Sequence, residues 1–371
     1  MRARTADARL QPSHDAELAQ LLGAPIPHTT SGAIAVRNLE SQIRASEGLL
    51  ARSPHEPRVL RDLGELLLAR AQYLSRLADY DRAAALAEQL VQLAPKQHES
   101  WLLRASTRAA FHRFDDALDD LDRAQALGAA PSALEAARAD ILDALGQTDA
   151  ALAHRARVVA LRPTITSLAA LATAHALGGD EATASRLYAH ALASYRDVSP
   201  FPVAWLLVQR GLTWERNGDS ARAAAAFAAA HERLPAYAAA ASSLARLRGH
   251  SGDHAGAVEI LRSLSVTSDD PEYQGQLAGE LRALGLAAEA DRLRDQAGRG
   301  LDALVALHPQ AFVAKQVRFW IGPGGDAERG FALAKSNLER DSSTPALALA
   351  AEAALAVEKA SPSTMTRDAH T

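Results

Sequence analysis

Small residues recur along this chain at a nearly fixed interval, and that interval limits the fold more tightly than any other feature. Ala83, Ala117, Ala151, Ala184, Ala223, Ala257, Ala290 and Gly330 are separated by 34, 34, 33, 39, 34, 33 and 40 residues. Twelve residues before each stand Ala71, Ala105, Ala139, Ala172, Gly211, Ala245, Ala278 and, as the one large residue, Arg318. Two helices approach closely only where the facing side chains are small. Paired small residues at this period are the footprint of helical hairpins stacked side by side. Gly146, Gly179, Gly218, Gly252, Gly285 and Gly325 fall between the paired positions, where a tight turn needs positive φ. Pro95, Pro163 and Pro235 close units, because proline cannot continue a helix.

The central unit shows the layout most fully. Gly211 precedes Trp214, Asn217-Gly218-Asp219 makes the turn, and Ala223, Phe227 and Pro235 follow. Gly211-x2-Trp214, Ala223-x3-Phe227 and Pro235 resemble the tetratricopeptide repeat, W-x2-L-G-x2-Y, then A-x3-F, then P, over 34 residues. Leu207 stands where the family has its opening aromatic and Arg210 where it has leucine. The resemblance extends over about eight degenerate repeats, residues 64–343. It implies an all-α, right-handed superhelical α-solenoid whose first helices line a concave groove.

The expected organisation follows the period. Residues 1–32 are a largely irregular leader with a short helix over Ser13 to Leu22, and 33–63 a flanking helix. Residues 64–203 form a first block, 204–310 a second, and 311–343 a last repeat. Residues 344–360 are a final helix and 361–371 a disordered tail. The two long spacings are expected where a second helix is lengthened, to about Arg196 and over Leu286 to Leu307. The superhelix is expected to loosen there.

Bulk properties exclude several functions. A net charge of −4 gives no electrostatic case for nucleic acid. There is no cysteine, so disulfides, thiolate metal sites and a cysteine nucleophile are excluded. No apolar run reaches the ~18 residues of a membrane-spanning helix. The first nine residues lack the apolar core of a signal peptide. That places the protein in the cytoplasm by default, with export requiring a start upstream or a leader already removed. Arginine far outnumbers the four lysines, which suggests a GC-rich, bacterial genome.

Candidate chemistry is sparse. His250-Ser-Gly-Asp253-His254 offers two imidazoles and a carboxylate but no third strong zinc ligand. Gly322-x-Gly324-x-x-Ala327 matches a loose dinucleotide fingerprint with no strand before it. Asp115, Asp116, Asp119, Asp120 and Asp122 form an acidic stripe that complements a helix N-terminus and is expected to stay solvated. No catalytic, cofactor or metal residue is assigned, and the protein is expected not to be an enzyme.

Projecting the period onto the first helices gives the expected partner-binding groove: Leu102, Ser106, Asp140, Trp205, Val208, Leu212, Arg246, Phe312, Lys315 and Phe319. The lysine and asparagine clamp that some relatives use for C-terminal carboxylates is absent from these slots. The expected function is a scaffold binding a peptide or protein partner. The alternative is a regulatory or sensor module that binds a small ligand or peptide and changes curvature. The final helix, whose polar groups are nearly confined to Glu352, Glu358 and Lys359, is a candidate surface for self-association.

Overall fold

The computed structural model describes residues 15–360, which form nineteen α-helices and, among the described residues, no strand. The tail expected over 361–371 and the first fourteen residues of the leader lie outside them. Two helices precede the repeats, α1 (Asp15–Leu22) and α2 (Gly32–Arg52). Eight antiparallel hairpins follow: α3 (Pro57–Leu74) with α4 (Leu77–Leu93), α5 (His98–Ala110) with α6 (Phe114–Ala126), α7 (Pro131–Ala144) with α8 (Thr148–Leu161), and α9 (Ile165–Leu177) with α10 (Glu181–Ser194). The second half pairs α11 (Pro200–Arg216) with α12 (Ser220–Arg233), α13 (Ala238–His250) with α14 (His254–Thr267), α15 (Pro271–Ala283) with α16 (Ala287–Leu307), and α17 (Pro309–Ile321) with α18 (Ala327–Leu338). A single helix, α19 (Thr344–Ala360), covers the last hairpin.

The period sets this packing. All seven alanines of the second-helix series, Ala83 through Ala290, have no exposed surface. At Gly211 even a methyl group is too large, since a Cβ there would lie 2.5 Å from Cε1 of the fully buried Phe227. The six turn glycines have φ between 70° and 88°. In four turns the next residue is Asp180, Asp219, Asp253 or Asp326, whose carboxylate accepts a backbone N–H in the first turn of the following helix. The exception at Arg318 has a geometric cause. The last hairpin turns through five residues, 322–326, where most of the others use three. Gly330 therefore meets Ile321 instead, and Arg318 points outward to Glu352 at 3.3 Å.

The two long spacings arise differently. The second is a lengthened helix, as expected, because α16 runs for 21 residues. The first is not: α10 stops at Ser194 and residues 195–199 are in no helix, with Tyr195 and Ser199 extended. Asp197 holds that crossing by accepting from the N–H of Val198 and of Ser199, which competes with further helix.

An ionic ladder runs between the helices. Arg70, Arg104, Arg138 and Arg210 each stand one residue before a small first-helix position. Arg70 donates to Asp79 at 2.6 Å, Arg104 to Asp120 at 2.8 and 2.9 Å, and Arg138 to Asp122 at 2.6 Å. Arg210 bonds Glu181 and Ser185 and lies between the rings of Tyr188 and Trp214. The acidic stripe accordingly divides. Asp120 is fully buried against Arg104 and Arg108, whereas Asp115, Asp119 and Asp122 remain exposed. One face of α6 must pack on α5, and Asp120 lies on that face with Ala117 and Leu121.

The N-terminal segment joins the body. Leu18, Leu22 and Ile26 are buried in the main apolar cluster, with α1 seated on α10 and α12. Arg233 donates to the carbonyl of Pro27 at 2.7 Å and to Thr29 Oγ1 at 3.1 Å. The array also coils far enough to meet itself, with α2 touching α11 and α3 touching α13.

Candidate inner-face site

First helices of successive repeats touch one another directly: α3 with α5, α9 with α11, α11 with α13, α13 with α15 and α15 with α17. Successive second helices pack less closely than these. Curvature is therefore toward the first helices, which line the inner face.

Polar rungs join them there. Arg246 of α13 grips Glu215 of α11, one bond at 2.7 Å, and Ser242 of α13 donates to Gln276 of α15 at 2.9 Å. Ser106 is exposed and donates to the carbonyl of Leu102. Asp140 is exposed beside Arg155, at 3.1 Å. Both charge signs are present and largely paired, so the face carries no field that would select a polyanion.

The apolar members of the expected groove are spread through the packing. Leu102 lies half-buried against the cluster of Trp101 and Leu121. Val208 is fully buried, and Trp205 and Leu212 are half-buried against the main core. Phe319 is buried beside Gly275 and Trp320, and Phe312 is buried near His308. Of the expected groove residues, Ser106 and Asp140 are exposed and Arg246 is half-exposed, whereas most of the apolar anchors' area goes to neighbouring helices.

Lys315 has a different setting. Its ammonium donates to Asp270 at 2.5 Å and lies 2.9 Å from Glu272. Burial pulls its pKa down, but Asp270 and then Glu272 outweigh it, so the ammonium is held more firmly than an ordinary lysine. It ties α17 to the start of α15. His250 and His254 take no common ligand: Asp253 caps α14, and His254 Nδ1 lies 2.8 Å from Glu280. Among the described residues no cluster of three or more His, Asp or Glu is arranged to hold a metal ion, and no helix is long and apolar enough to cross a membrane.

No family profile and no curated protein matches the sequence. Solved structures do match the architecture. The structure is similar to one of the APC/C hetero-tetramer Cut9–Hcn1, over 84% of this chain and 58% of that one, with 12% identity and a TM-score of 0.52. It is also similar to the human IFIT1 dimer with PPP-AAAA, over 76% of this chain and 72% of that one, with 18% identity and a TM-score of 0.50. The fold is that of a tetratricopeptide-repeat solenoid. This chain spans less than two thirds of the matched Cut9–Hcn1 chain.

Proposed function

We propose that this protein is a non-enzymatic scaffold that holds a peptide or protein partner along the inner face of its first helices. The supporting observation is the chemistry of that face. Hydroxyl, amide and charged groups of both signs line it at successive repeats, a pattern suited to peptide groups and mixed side chains. A polyanion would want net positive charge, which neither the face nor the chain carries. One structure of similar fold is itself a protein assembly, a hetero-tetramer with Hcn1.

The test compares two variants in pull-downs from the native host, followed by cross-linking and mass spectrometry. Ser106→Arg/Asp140→Arg/Arg246→Glu alters the inner face, and Arg162→Glu/Glu259→Arg alters exposed positions on the outside. Loss of a partner with the first variant only, and cross-links on first helices in the wild type, are expected. A partner kept by both variants or lost by both refutes the inner-face assignment. A second reading, a sensor whose curvature changes with its ligand, is supported by the self-contact of the coil and would show as a ligand-dependent radius of gyration.

A further inference from the structure

The coil meets itself along a seam of constant register. The intra-repeat turns of the first three hairpins lie against the connections that precede α15 and α17 and against the first turn of α19, each about six units further on. At the first point Ser268 Oγ donates to the carbonyl of Ser75 at 2.7 Å, and Ser75 Oγ lies 2.9 Å from Tyr273 Oη. Asp269 caps α4 from across the seam, accepting from the N–H of Leu77 at 2.5 Å and of Ala78 at 3.2 Å. At the second point His308 stacks on Phe111 with ring centres 3.9 Å apart, and its Nε2 is 2.8 Å from Asp81. At the third, Pro345 lies beside Gly146, close enough that a Cβ there would be 3.3 Å from Pro345 Cδ.

Backbone conformation singles out the same line. Among the described residues only two non-glycine residues have positive φ, Ser75 at 48° and His112 at 56°. Both stand in seam turns. Such a conformation is disfavoured for L-residues and persists where surrounding contacts fix it.

The seam differs from the interfaces between adjacent repeats. Those combine their polar rungs with a continuous core of fully buried alanine, leucine and phenylalanine, whereas the contacts at the three seam points lean on hydroxyls, carboxylates and an imidazole, with Asp81 and Asp269 exposed. Packing also loosens along its length. Near the start of the array Tyr73 packs against Phe201 and Tyr237, with ring centres 4.7 and 5.2 Å apart. Toward the end the two edges separate around a cavity of about 740 Å³ between His112, Phe114 and Leu145 on one wall and Val313, Arg340 and Leu349 on the other.

We infer that this seam is a clasp: it is anchored at Tyr73, parts from the cavity end, sets the pitch of the coil, and opens the inner face sideways to an incoming polypeptide. The polypeptide rests on the scaffold reading above; the clasp does not. Contacts within a hairpin survive its opening, because each repeat leans only on its neighbours.

The test uses the free full-length protein, so its result is independent of any partner. Ser268→Ala/Asp269→Ala and His308→Ala each remove contacts at one point. Hydrogen exchange and small-angle X-ray scattering are read beside far-UV circular dichroism. The clasp predicts unchanged helix content, a larger radius of gyration, and a wider separation of spin labels placed on Arg113 and Arg340 at the cavity end, which neither variant touches. Exchange confined to Leu77 and Ala78 in the first variant, with unchanged scattering and label separation, overturns it. The labelled protein with its seam intact supplies a second check. Under rising urea labels on Arg113 and Arg340 should separate before the amides of α11 and α12 lose protection, and simultaneous change overturns the clasp as well.

Discussion

Gly211→Ala sets two effects of opposite sign against each other. Alanine in a helix interior is favoured over glycine by about 1 kcal/mol. The added Cβ, however, would lie 2.5, 2.8 and 3.0 Å from Cε1, Cδ1 and Cζ of Phe227. Contacts that short require the ring to move, and Phe227 is fully buried with Ala223, Ala226 and Ala230 on its own helix. Overpacking of this kind costs about 1–3 kcal/mol. The net expectation is a loss of about 0–2 kcal/mol, taking the difference of these two ranges. The sharper quantity is the coupling with Phe227→Leu, which shortens the ring side chain. The double variant should be more stable than the sum of the single changes predicts by about 1 kcal/mol or more, because the second substitution removes the clash made by the first. Repeat arrays need not unfold in a single step, so protection of the α11 and α12 amides in native-state hydrogen exchange is the appropriate assay. Stabilisation by Gly211→Ala alone, with additive behaviour in the double variant, would refute the argument that close helix approach selects glycine here.

Three further outcomes are expected. Asp120→Ala leaves the largely buried Arg104 and Arg108 guanidinium groups without their shared carboxylate and should cost about 3–5 kcal/mol in urea unfolding, whereas Asp120→Leu/Arg104→Met should recover only part of that loss, because Arg108 still lacks its partner. Burial, reinforced by Arg248, lowers the pKa of His231 below its unfolded value, so the folded state takes up fewer protons as acid is added. Its contribution to stability is complete above an unfolded pKa of ~6.5 and declines as pH falls through it; His231→Gln should flatten the melting temperature over that range, and an unchanged acid slope would contradict this. The outer face of α19 exposes Leu347 and Leu355, each more than half accessible. If this stripe joins two copies, light scattering will give twice the 39.3 kDa chain mass and Leu347→Glu/Leu355→Glu will restore 39.3 kDa; a concentration-independent monomer in the wild type would exclude self-association there.

The hairpins were legible in the sequence because their causes are local. Ala223 must be small since α11 lies against it only twelve residues away, and Gly218 is needed where the chain reverses. Those requirements repeat with the period, so Ala-rich composition could not hide them. The arginine ladder was partly visible, as Arg210 replaced an expected leucine. Its meaning required Glu181, 29 residues earlier on the preceding hairpin. The separation of Asp120 from the rest of the acidic stripe likewise needed the face of α6 that meets α5.

The inner face was legible as a set of slots, but the environment of each slot was not. Ser106 and Asp140 stay accessible, whereas Val208 and Phe319, chosen by the same projection, are consumed by neighbouring helices. Periodicity gives angular position on a helix and says nothing of how near the next helix comes. The docking of α1 and the seam lay further out of reach. Thr30 meets Val198 across 168 positions, and Leu77 meets Asp269 across 192. Such contacts depend on a small rotation between adjacent repeats, summed over several units until the coil returns to its starting edge. Small residues, turn glycines and closing prolines specify the repeating unit within a few dozen residues of chain. Which distant edges meet is settled in the assembled coil, because that accumulated rotation belongs to the packed interfaces and to no single stretch of chain.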